Sequence, residues 1–313
     1  MIPVFRGVDV QRVVSPVEAY ETVRDAFVAH ARGEWTMPPK VYVANYPAGD
    51  FRAMPALGGG NALLKWVTSF PGNPTRGLPT VTGLVLLSNA EDGRLLCILD
   101  AAAVTALRTA AAGVLAAETL RREGASSYAV VGCGPNGAET VRMLVARGLT
   151  PMVWDVDGAR RHAVAEENGA YVAETAAEAL ACDVVITVTP GSVPLYERDS
   201  LRPGQHVSLM GADGPDKAEV AVEELGRARL FCDEWEQACS KGIGDIGQGV
   251  TVGRIRREQV TELGQVLAGA ADGRRSADDI TLFDSSGLAI QDLAIAKIAY
   301  SKRDQLSLQT IEL

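Results

Sequence analysis

The chain has little of what metal, disulfide and nucleic-acid chemistries usually require. Among its 313 residues are three histidines, His30, His162 and His206, at unrelated spacings. That speaks against a histidine-built metal site. Five cysteines (Cys97, Cys133, Cys182, Cys232, Cys239) are odd in number, scattered and without a C-x-x-C pair. They read as reduced thiols of a cytoplasmic protein, not as a disulfide framework or a zinc site. Positive charge is in deficit, with a net charge of −9. Nucleic acids and anionic membranes need a basic face, so neither is expected as a partner. The first residues lack the pattern of a signal peptide, and no apolar run approaches the roughly 18 residues of a membrane span. No serine–histidine or paired-carboxylate signature offers itself. The remaining composition, 47% hydrophobic and 22% charged, is globular, and the length suggests about two domains.

One stretch is rich in information. The apolar run Tyr128-Ala129-Val130-Val131 ends in Gly132-Cys133-Gly134-Pro135-Asn136-Gly137, a G-x-G-x-x-G turn. A helical pattern follows, with Val141, Leu144 and Val145 on one face. A second apolar run, Met152-Val153-Trp154, then ends in Asp155. This is the dinucleotide-binding arrangement. Gly132 permits the tight turn, Gly134 the approach of backbone to a pyrophosphate, and Gly137 the close packing of helix on strand. Pro135 and Asn136 open the helix whose free N–H groups receive the phosphates. Asp155 accepts hydrogen bonds from ribose hydroxyls and repels a 2′-phosphate, which favours NAD over NADP. Arg160 and Arg161 nearby weaken that preference.

The chain alternates strand and helix from about 125 to 290, with strands expected at Tyr128–Val131, Met152–Trp154, Val184–Val188, His206–Met210 and Leu230–Cys232. Their continuously apolar composition points to parallel βαβ units. Before them, 17–31 reads as an amphipathic helix, 40–44, 63–69, 80–88 and 95–99 as strands, and Glu91-Asp92-Gly93 as a hairpin turn. The segment 71–79 reads as a loop that is neither helix nor central strand. Residues 100–120 read as a long Ala-rich helix and 286–300 as a final helix. The expected fold is α/β. A doubly wound Rossmann-type domain spans 119–289, and a split α+β domain spans 1–118 with 290–313.

Three cations sit in apolar or structured surroundings of the first block. Lys65 lies in Leu63-Leu64-Lys65-Trp66-Val67, Arg108 in Ala106-Leu107-Arg108-Thr109-Ala110, and Arg52 in Phe51-Arg52-Ala53-Met54-Pro55. A buried cation is costly unless paired. Its partner is either a protein carboxylate or the carboxylate of a ligand, and three such cations beside a nucleotide domain shift the balance toward an anionic substrate.

With these residues the chain resembles the ornithine cyclodeaminase/mu-crystallin family. The resemblance rests on Arg52 to Pro55, Lys65 with the loop Pro71 to Thr80, Leu107-Arg108-Thr109, the Gly132 turn, Gly211-Ala212-Asp213-Gly214-Pro215 and Phe283-Asp284-Ser285-Ser286-Gly287. It covers nearly the whole chain and is nearest to the archaeal-type alanine dehydrogenase and iminosuccinate reductase branches. It implies a homodimer whose split domain holds substrate and dimer contacts. It further implies that Lys65 and Arg108 hold the substrate α-carboxylate with help from Lys40, and that Asp213 transfers the proton. By the same resemblance Thr189 and Ser285, Gly287 and Leu288 line the nicotinamide pocket, and Thr80 and Arg76 are weaker substrate candidates.

One departure bears on the substrate. Ornithine cyclodeaminases carry a glutamate near position 52, where it receives the distal amino group; this chain has Arg52. A cation there repels a second ammonium and attracts a carboxylate or carbonyl, or packs beside a short side chain. The reaction expected is NADH-dependent reduction of a small 2-imino acid to an L-amino acid: iminosuccinate to aspartate, or pyruvate with ammonia to alanine. The competing expectations are an ornithine- or lysine-type cyclodeaminase, a cyclic ketimine reductase, and a non-catalytic binder of cofactor or small ligand. No metal is expected, and NADP remains open as a second cofactor.

Overall fold

The computed structural model describes residues 1–313 apart from Ser192, Asp213, Pro215, Asp216, Ser240 and Lys241. The chain divides into two compact units, Met1–Arg108 with Leu288–Leu313, and Thr109–Gly287. The exchange points differ from the 118/119 and 289/290 expected from sequence. Residues 109–118 of the Ala-rich helix belong to the second unit, and Leu288 and Ala289 to the first.

The first unit is built on one mixed sheet. Its strands are β1 (Ile2–Phe5), β2 (Val41–Asn45), β3 (Gly49–Gly58), β4 (Asn61–Ser69), β5 (Val81–Asn89) and β6 (Leu95–Asp100), with a last strand, Gln309–Ile311, at the edge. The order is last strand–β1–β6–β5–β4–β3–β2. All pairings are antiparallel except β1 with β6. Gly93, at φ 74°, turns the β5–β6 hairpin. Strand β3 was not expected: its sequence GDFRAMPALG has no β-branched residue and contains Pro55. The loop 71–79 needs a correction too. It holds one 3₁₀ turn, Asn73–Arg76, with a proline in its first positions, where a missing N–H costs no internal bond.

Strand alternation decides which side chains enter this unit's core. Asp50, Arg52, Met54 and Ala56 of β3 are buried, as are Leu63, Lys65 and Val67 of β4. Met54 is opposite Lys65 and Arg52 opposite Val67, so these side chains share one face. The C-terminal helix Ala289–Ser301 packs against β3 and β4.

The second unit is a doubly wound parallel sheet. Its strands are β7 (Tyr128–Val131), β8 (Met152–Trp154), β9 (Tyr171–Val172), β10 (Val184–Thr187), β11 (His206–Leu209), β12 (Arg229–Cys232), β13 (Val260–Glu262) and β14 (Thr281–Asp284). The order is β13-β12-β14-β11-β10-β7-β8-β9, with every pairing parallel. Strand β14 was hidden in the sequence, four fully buried residues running straight into a loop motif. The chain reverses its winding at β7, which pairs with β8 on one side and β10 on the other. Doubly wound sheets bind ligands at the strands' carboxyl ends beside such a reversal.

The helix Ala101–Leu120 is long and apolar enough to cross a membrane by length and composition, although Arg108 and Glu118 interrupt its apolar run. Most of it is buried inside the protein, as in the core helix of a globular fold.

Candidate active site

The turn after β7 has the geometry its glycines predicted. Gly132 adopts φ 102°, the left-handed region that L side chains avoid. A Cβ on Gly137 would lie 1.8 Å from the Gly132 carbonyl oxygen, so helix and strand approach too closely for any side chain. Gly134 caps the helix Pro135–Ala146, with Pro135 and Asn136 in its first turn. A Cβ on Gly134 would meet nothing within 4 Å, which leaves the backbone open on the side where a pyrophosphate is received. These residues fit a dinucleotide.

Asp155 follows β8 and is buried. Its Oδ2 accepts from the Cys133 N–H at 2.6 Å and its Oδ1 from the Asp157 N–H at 2.8 Å. The carboxylate therefore braces the glycine turn itself. Arg160 lies 3.7 Å from Asp155 and 3.4 Å from Asp157. Its charge is already matched by two acids.

Across the reversal, a Cβ on Gly132 would sit 2.7 Å from the Val188 oxygen. The next residue, Thr189, gives both its N–H and its hydroxyl to Glu219 Oε1 at 2.8 Å. Glu219 Oε2 also accepts from the Gly211 N–H at 2.8 Å. This buried acid ties together the loops after β10 and β11. Burial pushes its carboxyl up, opposed by the N–H groups of Thr189 and Gly211. After β14, Ser285 Oγ and the Gly287 N–H donate to Asp233 Oδ2 at 2.9 and 2.8 Å. Thr189, Ser285 and Gly287 thus stand at the carboxyl ends of the strands, each anchored by an acid that sequence reasoning did not single out. Asp213, the expected proton carrier, lies outside the described residues.

In the first unit the buried cations have found protein carboxylates. Lys65 Nζ bonds Asp292 Oδ1 at 2.9 Å, and Arg108 Nε stands 3.5 Å from the same oxygen. Arg108 Nη1 also reaches Gln291 Oε1 at 3.4 Å, and that oxygen accepts the Leu288 N–H at 3.3 Å. Lys65 and Asp292 are wholly buried. Burial pushes the Lys65 ammonium down to about 8; Asp292 opposes the shift, and Arg108 and Arg52 add to it. Asp292 was missed in the sequence. Its only signal there is an acid inside the apolar run Leu288 to Ala296.

Arg52 is held by Asp50, two residues earlier on the same face of β3, through Nε–Oδ1 at 2.6 Å and Nη2–Oδ2 at 3.2 Å. The guanidinium stands 5.4 Å from the Tyr42 ring centroid. Lys40 is buried just before β2. Thr80 is half-buried in a bend before β5, and its carbonyl accepts the Phe70 N–H. Arg76 is exposed in the 3₁₀ turn and bonds Asn73 at 2.7 Å, the contact of a loop-bracing arginine.

A parallel doubly wound unit with an open glycine turn and a ribose-type acid, in one chain with a unit that buries paired cations, defines a dinucleotide-dependent oxidoreductase. The chain belongs to the ornithine cyclodeaminase/mu-crystallin family, which it matches over residues 3–306. An alanine dehydrogenase of Archaeoglobus fulgidus is 42% identical over 93% of this chain and 92% of its own length. A solved archaeal alanine dehydrogenase dimer with bound NAD superposes with a TM-score of 0.93 at 39% identity, covering 99% of each chain. The iminosuccinate reductase of Paracoccus denitrificans, solved with NAD+, gives 0.88 at 27% identity over 100% of this chain and 99% of its own. The Δ1-pyrroline-2-carboxylate reductase of Thermococcus litoralis, solved with NADH and L-proline, gives 0.92 at 26% identity over 99% and 100%.

Proposed function

We propose that this enzyme is an NADH-dependent reductase of small monocarboxylic 2-imino acids, forming L-alanine from pyruvate and ammonia. The observation that carries the reading is the charge balance of the cluster formed by Lys65, Arg108 and Asp292. Lys65 and Arg108 share one carboxylate, Asp292, which leaves one positive charge for one substrate carboxylate. Arg52 already carries its own counter-ion in Asp50, so a second substrate carboxylate gains little there. Three buried atoms around Asp292 have no hydrogen-bond partner among the described residues: Arg108 Nε, Gln291 Nε2 and Asp292 Oδ2. A ligand carboxylate supplies the acceptors that the two nitrogens lack.

When bound, NADH supplies a hydride to C2 of the imine. The chain's own residues do the rest of the work. Lys65 and Arg108 fix the carboxylate and draw electron density from C2. Gly134 and the start of the helix Pro135–Ala146 take the pyrophosphate, and Asp155 takes the ribose hydroxyls. Asp213 is assigned the proton at the imine nitrogen through the family resemblance.

The apolar outer face of the first unit's sheet supports the homodimer. Val41, Val43, Leu64, Trp66 and Leu84 are 57%, 51%, 39%, 41% and 50% exposed and share that face. All five cysteines are unpaired and buried, which suits a reducing compartment such as the cytoplasm. The deciding experiment is an NADH-oxidation panel with pyruvate plus ammonia, oxaloacetate plus ammonia, and a cyclic imino acid, with ornithine tested for ammonia release. Turnover of the pyruvate mixture above the others supports the reading. Proline formed from ornithine without net NADH change overturns it.

A further inference from the structure

We propose that Asp292 is a positioning residue that holds Lys65 and Arg108 as one clamp for the substrate carboxylate. The proposal rests on the carboxylate-binding role given to that pair above.

The geometry distinguishes this from an ordinary structural ion pair. Asp292 Oδ1 stands between two cations, 2.9 Å from Lys65 Nζ and 3.5 Å from Arg108 Nε. One carboxylate against two cations leaves the cluster a charge short, although burial penalises an unmatched charge. Arg108 is steered a second time by Gln291, the neighbour of Asp292 on the same helix. The helix start is itself pinned by the Leu288 N–H on Gln291. Each cation is thus located by the C-terminal helix, while Arg108 Nε and Gln291 Nε2 keep unspent donors.

Asp292 also decides how long Lys65 stays charged. Burial drives the ammonium to shed its proton, and Arg108 and Arg52 push the same way. The elements around Lys65 contain few other charges. Strand β5 has no titratable residue, and residues 101–108 of the long helix contribute only Arg108. Strand β3 adds Arg52 with its partner Asp50, and β2 adds Tyr42 opposite Arg52. The C-terminal helix adds Asp292, with Lys297 turned away to the Gly59 carbonyl. Asp292 is therefore the acid bonded to Lys65, and without it the charges that weigh most on Lys65 are the Arg108 and Arg52 guanidinium groups.

The test uses the full-length enzyme loaded with NADH, with oxamate as a carboxylate probe. Oxamate dissociation constants are measured from pH 6 to pH 9. Lys65 is titrated by NMR of protein carrying 13C at the lysine ε-carbons, its signal assigned with Lys65→Arg. Asp292→Asn should lower the Lys65 midpoint by at least one pH unit. It should weaken oxamate about fivefold or more at pH 8 and much less at pH 6, with NADH affinity unchanged. Asp292→Glu keeps the charge and displaces it, so the midpoint should stay while oxamate weakens at every pH. An unmoved Lys65 midpoint in Asp292→Asn, or unchanged oxamate affinity in Asp292→Glu, overturns the proposal. If Asp292→Asn does not fold, the Asp292→Glu result decides alone. If the wild-type enzyme binds no oxamate at all, the carboxylate reading of the site falls. The Lys65 midpoint then still reports whether Asp292 governs its charge.

Discussion

Asp50 grips Arg52 with a two-point carboxylate–guanidinium contact, 2.6 and 3.2 Å, inside the core of the first unit. Both side chains are less than a tenth exposed. The fork that suits a substrate carboxylate is thus filled by a neighbour on the same strand. A neutral buried pair offers little to a second ammonium and little to a second carboxylate. That is the ground for proposing alanine over aspartate as product, a distinction the residue types alone left open.

Asp50→Asn keeps the shape and strips the charge, releasing the guanidinium of Arg52. Turnover of oxaloacetate with ammonia should rise relative to pyruvate with ammonia by roughly tenfold or more, the scale of one charge-assisted hydrogen bond at ~1.5–3 kcal/mol. Steady-state ratios of kcat/KM for the two mixtures provide the check. An unchanged ratio would place Arg52 away from the substrate side chain.

Lys65→Ala or Arg108→Ala should lower kcat/KM by roughly 30-fold or more, since losing one partner of a desolvated charge pair costs on the order of 2–5 kcal/mol. NADH binding, a property of the second unit, should survive and serves as the folding control. If Lys65 binds the carboxylate, its ammonium form should be the active one. Its value of about 8 makes carboxylate affinity fall as pH rises through that region. Flat affinity from pH 6 to 9 would remove Lys65 from the site.

Asp155 should govern the choice of cofactor. NADH should be used well ahead of NADPH, because a carboxylate repels the 2′-phosphate, Arg160 is shared between Asp155 and Asp157, and Arg161 is bonded to the Asp155 carbonyl oxygen. Asp155→Ser should narrow or reverse the ratio. It also removes the brace on the Cys133 N–H, so NADH affinity should fall as well. Equal use of both cofactors by the unmodified enzyme would refute this.

The cofactor turn was legible because its chemistry is local. Three glycines, a strand, a helix and an acid fall within 128–155, and Gly132 and Gly137 answer backbone demands that no side chain allows. The first unit's cations were legible as anomalies, charged residues in apolar runs. Their partner was not. Asp292 lies 227 residues beyond Lys65, and nothing in one sequence sets the fold that joins them. Glu219 and Asp233 were missed for the same reason, since each acts by receiving N–H groups from distant loops. Strands β3 and β14 escaped because one contains a proline and no β-branched residue and the other ends in Asp284 and runs straight into a loop motif, so pairing partners decide them more than propensity does.

A buried acid pair in the second unit should make its stability depend on pH. Asp245 Oδ1 accepts from the Glu219 and Val220 N–H groups at 2.8 and 2.9 Å, and Asp284 Oδ2 from the Ile246 N–H at 2.8 Å. The other oxygen of each, Asp245 Oδ2 and Asp284 Oδ1, has no partner among the described residues. Burial raises both carboxyls, Asp245 to about 7 with Glu219 adding repulsion, and Asp284 well above its ordinary value with Asp245 adding its own. An acid whose folded value exceeds its unfolded one contributes stability that is complete below the unfolded value, 3.8 for Asp245. That contribution is lost as pH rises through the folded value. Stability should therefore fall between pH 4 and pH 8, opposite to the trend set by an exposed ion-paired aspartate. Asp245→Asn keeps the acceptor for the two N–H groups and removes the ionisation. Its melting temperature should fall less between pH 5 and pH 8 than that of the wild type, by roughly 2–4 °C for each kcal/mol relieved. Thermal unfolding with NADH absent at the two pH values measures this directly, and parallel pH dependence in the two proteins would show that Asp245 does not titrate there.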